Sequence, residues 1–301
     1  MHKVLFLRRE GVYLPEISAY LGYIRDHIPS IEAHDSFELN RHFVERDFDV
    51  IWKFMGFDRN KTSDRCIVHE YGSLSVGRFP QLKNMIKRQL NTKPSFRVFL
   101  NEAVHREMGF QDNLPYYLRD MGVSQAFFRK DPNPNPEFDF VYSGSLNRGG
   151  IILSMLDHFK SRAKGESLLV VGAVPDHIYQ VFGKTPNITF AGQLKYDDVP
   201  DVITQAKYGL NMMPDIYPFH MQTSTKVLEY CAARIPVIST RYRWIEDFEA
   251  QSSGKFFYID RDLHDLTLSR IETYPFSIPS MESYTWDEII KRSGIFDFLK
   301  N

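Results

Sequence analysis

The sequence predicts an α/β protein made of two Rossmann-like domains facing each other across a cleft. Three observations carry this. Apolar runs of strand length alternate with helical patterns, once before residue 128 and again after residue 138. A stretch with three alternate prolines separates the two series. The 301 residues exceed one ordinary core and suit two of about 100–200 residues each.

The first series opens on "KVLFL", a buried-strand pattern, followed by a glycine-containing loop and the amphipathic stretch "AYLGYIRDHI". "FDVIWKFMG" (48–56) and "RCIVHEYG" (65–72) read as strands that end in glycine turns, and "RVFLNEAVHREMGF" as a strand entering a helix. Strands separated by helices imply a parallel sheet. In "RKDPNPNPEFDF" (129–140) the prolines can neither continue a helix nor donate within a central strand, so residues 129–137 read as a stiff linker. The alternation then restarts. "FDFVYSGSL", "SLLVVGAV", "ITFAGQL" and "YGLNMMP" are strands; "GGIILSMLDHFKSRA" and "DDVPDVITQA" are helices. "STKVLEYCAARIPVIST" (224–240) adds a helix and a strand, and "SYTWDEIIKRSGIFDFLK" a capped amphipathic helix. The expected division is 1–128, linker 129–137, 138–280, and a terminal helix within 281–301.

Composition excludes several classes. A formal net charge of −1 removes any global electrostatic case for nucleic acid. The two cysteines, Cys66 and Cys231, form neither a disulfide framework nor a metal-ligand spacing, which favours a reducing, cytoplasmic setting. The opening apolar run is too short for a signal peptide, and no run spans a membrane. Two Rossmann-like domains work at the carboxyl ends of their strands. Redox or NTPase chemistry there would show GxGxxG or a P-loop, and neither motif occurs. "DFD" at 47–49 has the form of a metal-binding DxD but leads straight into an apolar strand; it reads as a solvated lead-in, and no essential metal or other cofactor is expected.

The order of segments from "FVYSGSLNRGG" through "NITFAGQLKYDDVPDVITQAKYGLNMMP" and "STKVLEYCAARIPVIST" to "SYTWDEII" resembles the nucleotide-binding half of GT-B-fold glycosyltransferases, most nearly the retaining family 4. The likeness covers about residues 138–300; before that only the α/β plan is shared. It implies a nucleoside-diphosphate sugar as donor, a saccharide or lipid-linked acceptor, and a terminal helix crossing back to the first domain. A helix start near Thr223, with its open amides and the Ser224 and Thr225 hydroxyls, would attract the donor diphosphate. Lys226 would pair with a phosphate oxygen. Glu229, three residues on along the same face, would accept the ribose hydroxyls; the other reading is a solvated lysine–glutamate pair. Arg148, ahead of two glycines, and Gly11, in the loop after the first strand, would meet the same diphosphate. The base would lie near Gly192, Leu194 and Tyr196.

Departures from that pattern matter. The family has two glutamates eight positions apart, and the first falls at Met221, so either Asp215, His220 or Gln222 would take over contacts to the donor sugar or the sugar differs. Arg234 stands where the family often has a glycine, which implies a different helix stop. At the carboxyl edge of the first sheet, His69 would contact the donor sugar, and His69 or Glu70 would be the base if the reaction inverts. Residues 78–97 carry six Lys or Arg and no acid among apolar residues, with Lys83, Lys87 and Arg88 on one helix side. They could lie on an anionic membrane at its inner face or hold a lipid-diphosphate acceptor, or simply form a solvated face. The function expected is transfer of a sugar to an acceptor hydroxyl, with retention, in polysaccharide or glycolipid synthesis. The alternatives are a nucleotide-sugar epimerase on the same fold and a catalytically silent GT-B partner subunit.

Overall fold

The structure, a computed structural model, describes residues 2–8, 14–39, 43–59, 65–129, 132–147 and 150–300. These form two compact units, one of Met1–Gly122, Met221–Thr223 and Tyr284–Asn301, the other of Val123–His220 and Ser224–Ser283. Residues 132–137 are tied to the second unit, where Asn133 donates from its backbone to Thr204 O at 3.3 Å and from its side chain to Gln205 at 2.6 Å.

The first unit is built on a six-stranded sheet in the order β2-β1-β3-β4-β5-β6. Its strands are β1 (Lys3–Leu7), β2 (Glu32–Asp35), β3 (Val50–Phe54), β4 (Cys66–Tyr71), β5 (Phe96–Phe99) and β6 (Tyr116–Leu118). All neighbouring pairs are parallel. Helices α1 (Pro15–His27), α2 (Pro80–Leu90) and α3 (Glu102–Met108) supply crossovers. The core gathers aromatic rings: Tyr20 of α1 lies 5.5 Å from Phe6 of β1, 5.6 Å from Trp52 of β3 and 5.2 Å edge-on from Phe296. Such pairs add about 0.5–1.5 kcal/mol each beyond their buried area. Trp286, Ile290, Ile295, Phe296 and Leu299 belong to this core, so the C-terminal helix crosses back onto the first unit, as expected.

The second unit carries a six-stranded parallel sheet in the order β12-β11-β10-β7-β8-β9. The strands are β7 (Phe138–Ser143), β8 (Leu168–Val171), β9 (Ile188–Gly192), β10 (Ala206–Asn211), β11 (Val237–Thr240) and β12 (Phe257–Ile259). Helices α4 (Gly150–Ser161), α5 (Asp176–Phe182), α6 (Val199–Ile203), α7 (Thr225–Ala232), α8 (Arg243–Ser252) and α9 (Leu268–Ile271) complete it; α10 (Trp286–Ser293) belongs to the first unit. This is the doubly wound order, whose winding reverses between β7 and β10. The crevice outside those two carboxyl ends is where such sheets bind ligands.

Helix α7 sits close on that reversal for a sequence reason. Its Tyr230 ring lies over Gly209 of β10, where a Cβ would come within 2.5 Å of the ring. The Tyr230 hydroxyl accepts from Ser143 N of β7 at 2.8 Å. The helix also stops as the family's glycine would make it stop, which corrects the expectation drawn from Arg234. Arg234 itself takes the left-handed conformation, φ 57°, and bears the steric cost that a glycine would avoid.

Candidate active site

At the reversal point the second unit assembles four polar groups. Asn211 ends β10 and is fully buried; its amide donates to Ser239 Oγ at 2.9 Å and Tyr242 Oη at 3.0 Å, and its carbonyl oxygen accepts from Ser224 Oγ at 3.0 Å. Ser224 thereby anchors the start of α7 to the carboxyl ends of β10 and β11. Its hydroxyl is used there and does not cap the helix, so the first-turn amides are left without an intrahelical acceptor.

Lys226 is the second residue of α7 and is buried, 4% exposed. Its ammonium lies 5.6 Å from the centroid of the Tyr142 ring and directly above Gly144, the residue that follows β7. A Cβ on Gly144 would fall 3.2 Å from Lys226 Nζ, and the φ of +138° there already favours glycine. Gly172, which follows β8, is tighter still, since a Cβ would lie 2.3 Å from Gly144 O. A buried lysine thus lies beside the Tyr142 ring and the close backbone of Gly144 at the reversal point, a setting suited to an anionic group.

Glu229 lies one turn further along α7, half-buried, and accepts a hydrogen bond from Tyr196 Oη at 2.9 Å. Loss of water around the carboxyl pushes its pKa up to about 7, against the pull of the Tyr196 hydroxyl and the Lys226 charge. The Tyr196 ring lies 5.4 Å from Phe127. Gly192 ends β9 at φ +74°, and Leu194 is half-buried between it and Tyr196. The structure thus groups Ser224, Thr225, Lys226, Glu229 and Tyr196 on and around one helix. Arg148 and Gly11 lie outside the described residues.

Other expected positions fall elsewhere. Thr223 groups with the first unit, where its hydroxyl donates to Asp120 Oδ1. Met221 O accepts from Asn101 Nδ2 at 3.2 Å. His220 stands in a short turn of the second unit and Gln222 in the first; among the described residues, His220 Nδ1 and Gln222 Nε2 are buried without hydrogen-bond partners. Asp49 accepts from the Lys3 amide at 2.8 Å, at the amino end of β3.

His69 and Glu70 are buried near the carboxyl end of β4, and Glu70 lines a pocket there with Glu16, Phe54 and Gly72. Strand alternation sends them to opposite faces. Glu70 accepts from Arg119 Nη2, from Trp52 Nε1 at 2.6 Å and from Tyr20 Oη at 3.1 Å. Arg119, itself fully buried, also lies 3.6 Å from Glu16 and over the rings of Tyr20 and Trp286. A carboxylate so saturated ties β4 to α1 and to Arg119 and helps hold the core together. His69 registers between Lys53 of β3 and Arg97 of β5. Burial, reinforced by those two cations, lowers its pKa to about 4, although Asp58 lies 3.6 Å away. It is neutral near pH 7, and among the described residues neither ring nitrogen makes a hydrogen bond.

Sequence reasoning passed over Asn211, Gly144 and Arg119. An asparagine inside "YGLNMMP" and a glycine directly after "FVYS" are legible signals; Arg119 has none, because its partners are distant in sequence.

The fold is that of the GT-B class of two-domain proteins. The chain is similar to the Anabaena protein Alr3699/HepE, solved with UDP and glucose, at 11% identity and a TM-score of 0.65 over 98% of this chain and 95% of that one. It is similar to AviGT4, a glycosyltransferase involved in avilamycin A biosynthesis, at 14% identity and a TM-score of 0.60 over 97% and 96%. The Methanocaldococcus jannaschii UDP-GlcNAc 2-epimerase, solved with UDP-GlcNAc and UDP, aligns at 12% identity and a TM-score of 0.54 over 97% and 98%. No protein-family model and no curated protein matches the sequence.

Proposed function

We propose that this protein is a glycosyltransferase that moves a sugar from a nucleoside diphosphate to an acceptor hydroxyl. The observation that carries the reading is the buried Lys226 ammonium above Gly144, at the β7/β10 reversal, with Glu229 one turn along the same helix. In this reading the first-turn amides of α7 and Lys226 bind the diphosphate, joined by Arg148, and Glu229 accepts the ribose hydroxyls. The backbone near Gly192, Leu194 and Tyr196 holds the base. His220, with an unpartnered buried nitrogen among the described residues, fits a hydroxyl-rich sugar.

Reaction with retention is supported by the burial of both base candidates, Glu70 under Arg119 and His69 between Lys53 and Arg97. The diphosphate would then leave by electrostatic stabilisation, with its developing charge met by Lys226 and the helix amides. The epimerase of similar fold supports a second reading, interconversion of the donor's own sugar without an acceptor. Incubation with a panel of nucleotide sugars separates the two: transfer needs an added acceptor, whereas epimerisation consumes donor alone.

The binding test is calorimetry of Lys226→Ala with nucleoside diphosphates and the matching nucleosides. Loss of a charge-assisted contact of about 1.5–3 kcal/mol predicts diphosphate binding weaker by about ten- to a hundredfold, with nucleoside binding little changed. Equal losses for both ligands would place Lys226 in folding rather than in phosphate recognition.

A further inference from the structure

Helix α2 of the first unit is amphipathic with its apolar face turned outward. Asn84 is its buried residue, and its Oδ1 accepts from Ser75 N at 3.0 Å. At 100° per residue, Leu82, Met85, Ile86 and Leu90 fall on an arc of about 140° opposite Asn84, and each is more than a third exposed. Phe79, immediately before the helix, is 61% exposed and is held in the left-handed conformation, φ 56°, beneath the Arg78 guanidinium. A soluble helix normally buries its apolar stripe and solvates its polar one; here the order is reversed.

Charge selects what covers this face. Lys83 and Lys87 flank the apolar arc on one side and Arg88 on the other, which corrects the expectation that all three share one helix side. From residue 71 to residue 101 the chain carries six Lys or Arg and no acid, although its formal net charge is −1; of the six, Arg97 is buried in β5 and paired with Asp112. A twofold pairing of α2 with a second copy would set Lys83, Lys87 and Arg88 against the same three residues of that copy. An anionic bilayer surface instead accepts the apolar arc among its acyl chains and the basic flanks among its headgroups. Beside the helix, a groove of about 530 Å³ lined by Phe57, Leu74, Val76, Lys83, Ile86 and Lys87 leads toward the carboxyl ends of β3 and β4.

We infer that α2 is a membrane-docking element, which seats the first unit on an anionic bilayer with Phe79, Leu82, Met85, Ile86 and Leu90 inserted at the interface. Among the described residues no helix is long and apolar enough to cross a membrane, so the association is peripheral. It does not depend on the identity of the donor or on transfer itself.

The test is co-sedimentation of the full chain with phosphatidylcholine vesicles, neutral or carrying about a third phosphatidylglycerol. Each basic residue brought to an anionic surface strengthens binding about fivefold. Wild type should pellet with anionic vesicles and not with neutral ones, and less so in high salt. Leu82→Asp/Ile86→Asp and Lys83→Gln/Arg88→Gln should each lose more than about tenfold with unchanged thermal unfolding. Leu82→Trp, which adds no charge, should shift its emission to the blue on anionic vesicles only. Absent or charge-independent wild-type binding would overturn the inference, as would an unshifted Leu82→Trp emission. So would lipid-free self-association that the Leu82→Asp/Ile86→Asp pair abolishes, since a second copy would then be the occupant.

Discussion

Lys226 and Glu229 share one helix face, but their environments set them different tasks. Lys226 is buried against Tyr142 and Gly144, so its charge is presented to a small volume rather than diluted in solvent. Glu229 is partly stripped of water, and its pKa of about 7 exceeds the ordinary 4.5. Because the folded value is raised, its contribution to stability is fully present below about pH 4.5 and is lost as pH rises through 7. Glu229→Gln keeps an acceptor for the Tyr196 hydroxyl and removes the titration. The variant should therefore be more stable than wild type at pH 8, by about 1–3 kcal/mol, and indistinguishable from it at pH 4.5. Thermal unfolding at the two pH values checks this. If Glu229 also binds ribose, the same variant loses affinity for a normal nucleotide and not for its 2′,3′-dideoxy analogue. Parallel losses for the two ligands would remove it from the ribose site.

Strand β4 carries buried ionisable groups on both faces. One face presents Glu70 to Arg119, Trp52 and Tyr20; the other presents His69 to Lys53, Arg97 and Asp58. The Arg119 cluster joins β6, β4 and α1, and reaches α10 through Trp286. Removing one partner of a buried ion pair leaves an uncompensated charge, which costs about 3–5 kcal/mol. Arg119→Met should destabilise by that amount in denaturant titration, and adding Glu70→Gln should recover part of it, since the stranded carboxylate is then gone. Additive losses in the double variant would show that the two residues act separately.

In the whole molecule, sequence position and unit membership part company at the C-terminus. Residues 284–301 follow the second unit in the chain yet supply Trp286, Ile290, Ile295, Phe296 and Leu299 to the core of the first. Losing such buried side chains costs about 2–5 kcal/mol apiece, against a total stability of about 5–15 kcal/mol. A chain ending at residue 283 should lose amide protection in β1, β3 and β4 while β7, β8 and β10 keep theirs. Hydrogen exchange read by mass spectrometry reports both sheets at once, and equal loss in the two would mean that they unfold as one cooperative body.

Sequence by itself determined the parts of this protein encoded at short range. Apolar runs such as "KVLFL", "VIWKF" and "LLVV" are strands because both faces are buried in a parallel sheet, and that burial is written in consecutive residues. The spacing of Lys226 and Glu229 on one helical face is equally local. Tertiary structure alone decided the rest. Strand β2, "EAHD", carries little apolar signal and exists because β1 offers it a ladder; β6, "YYL", is an edge of three residues. Glu70 is legible as a carboxylate near a strand end, but its partner Arg119 lies 49 residues away. Arg234 read as a new kind of helix stop, yet packing held it in a glycine's conformation. Periodicity and turn chemistry act over a few residues, whereas burial, pairing and charge compensation depend on segments that meet only when the chain has folded.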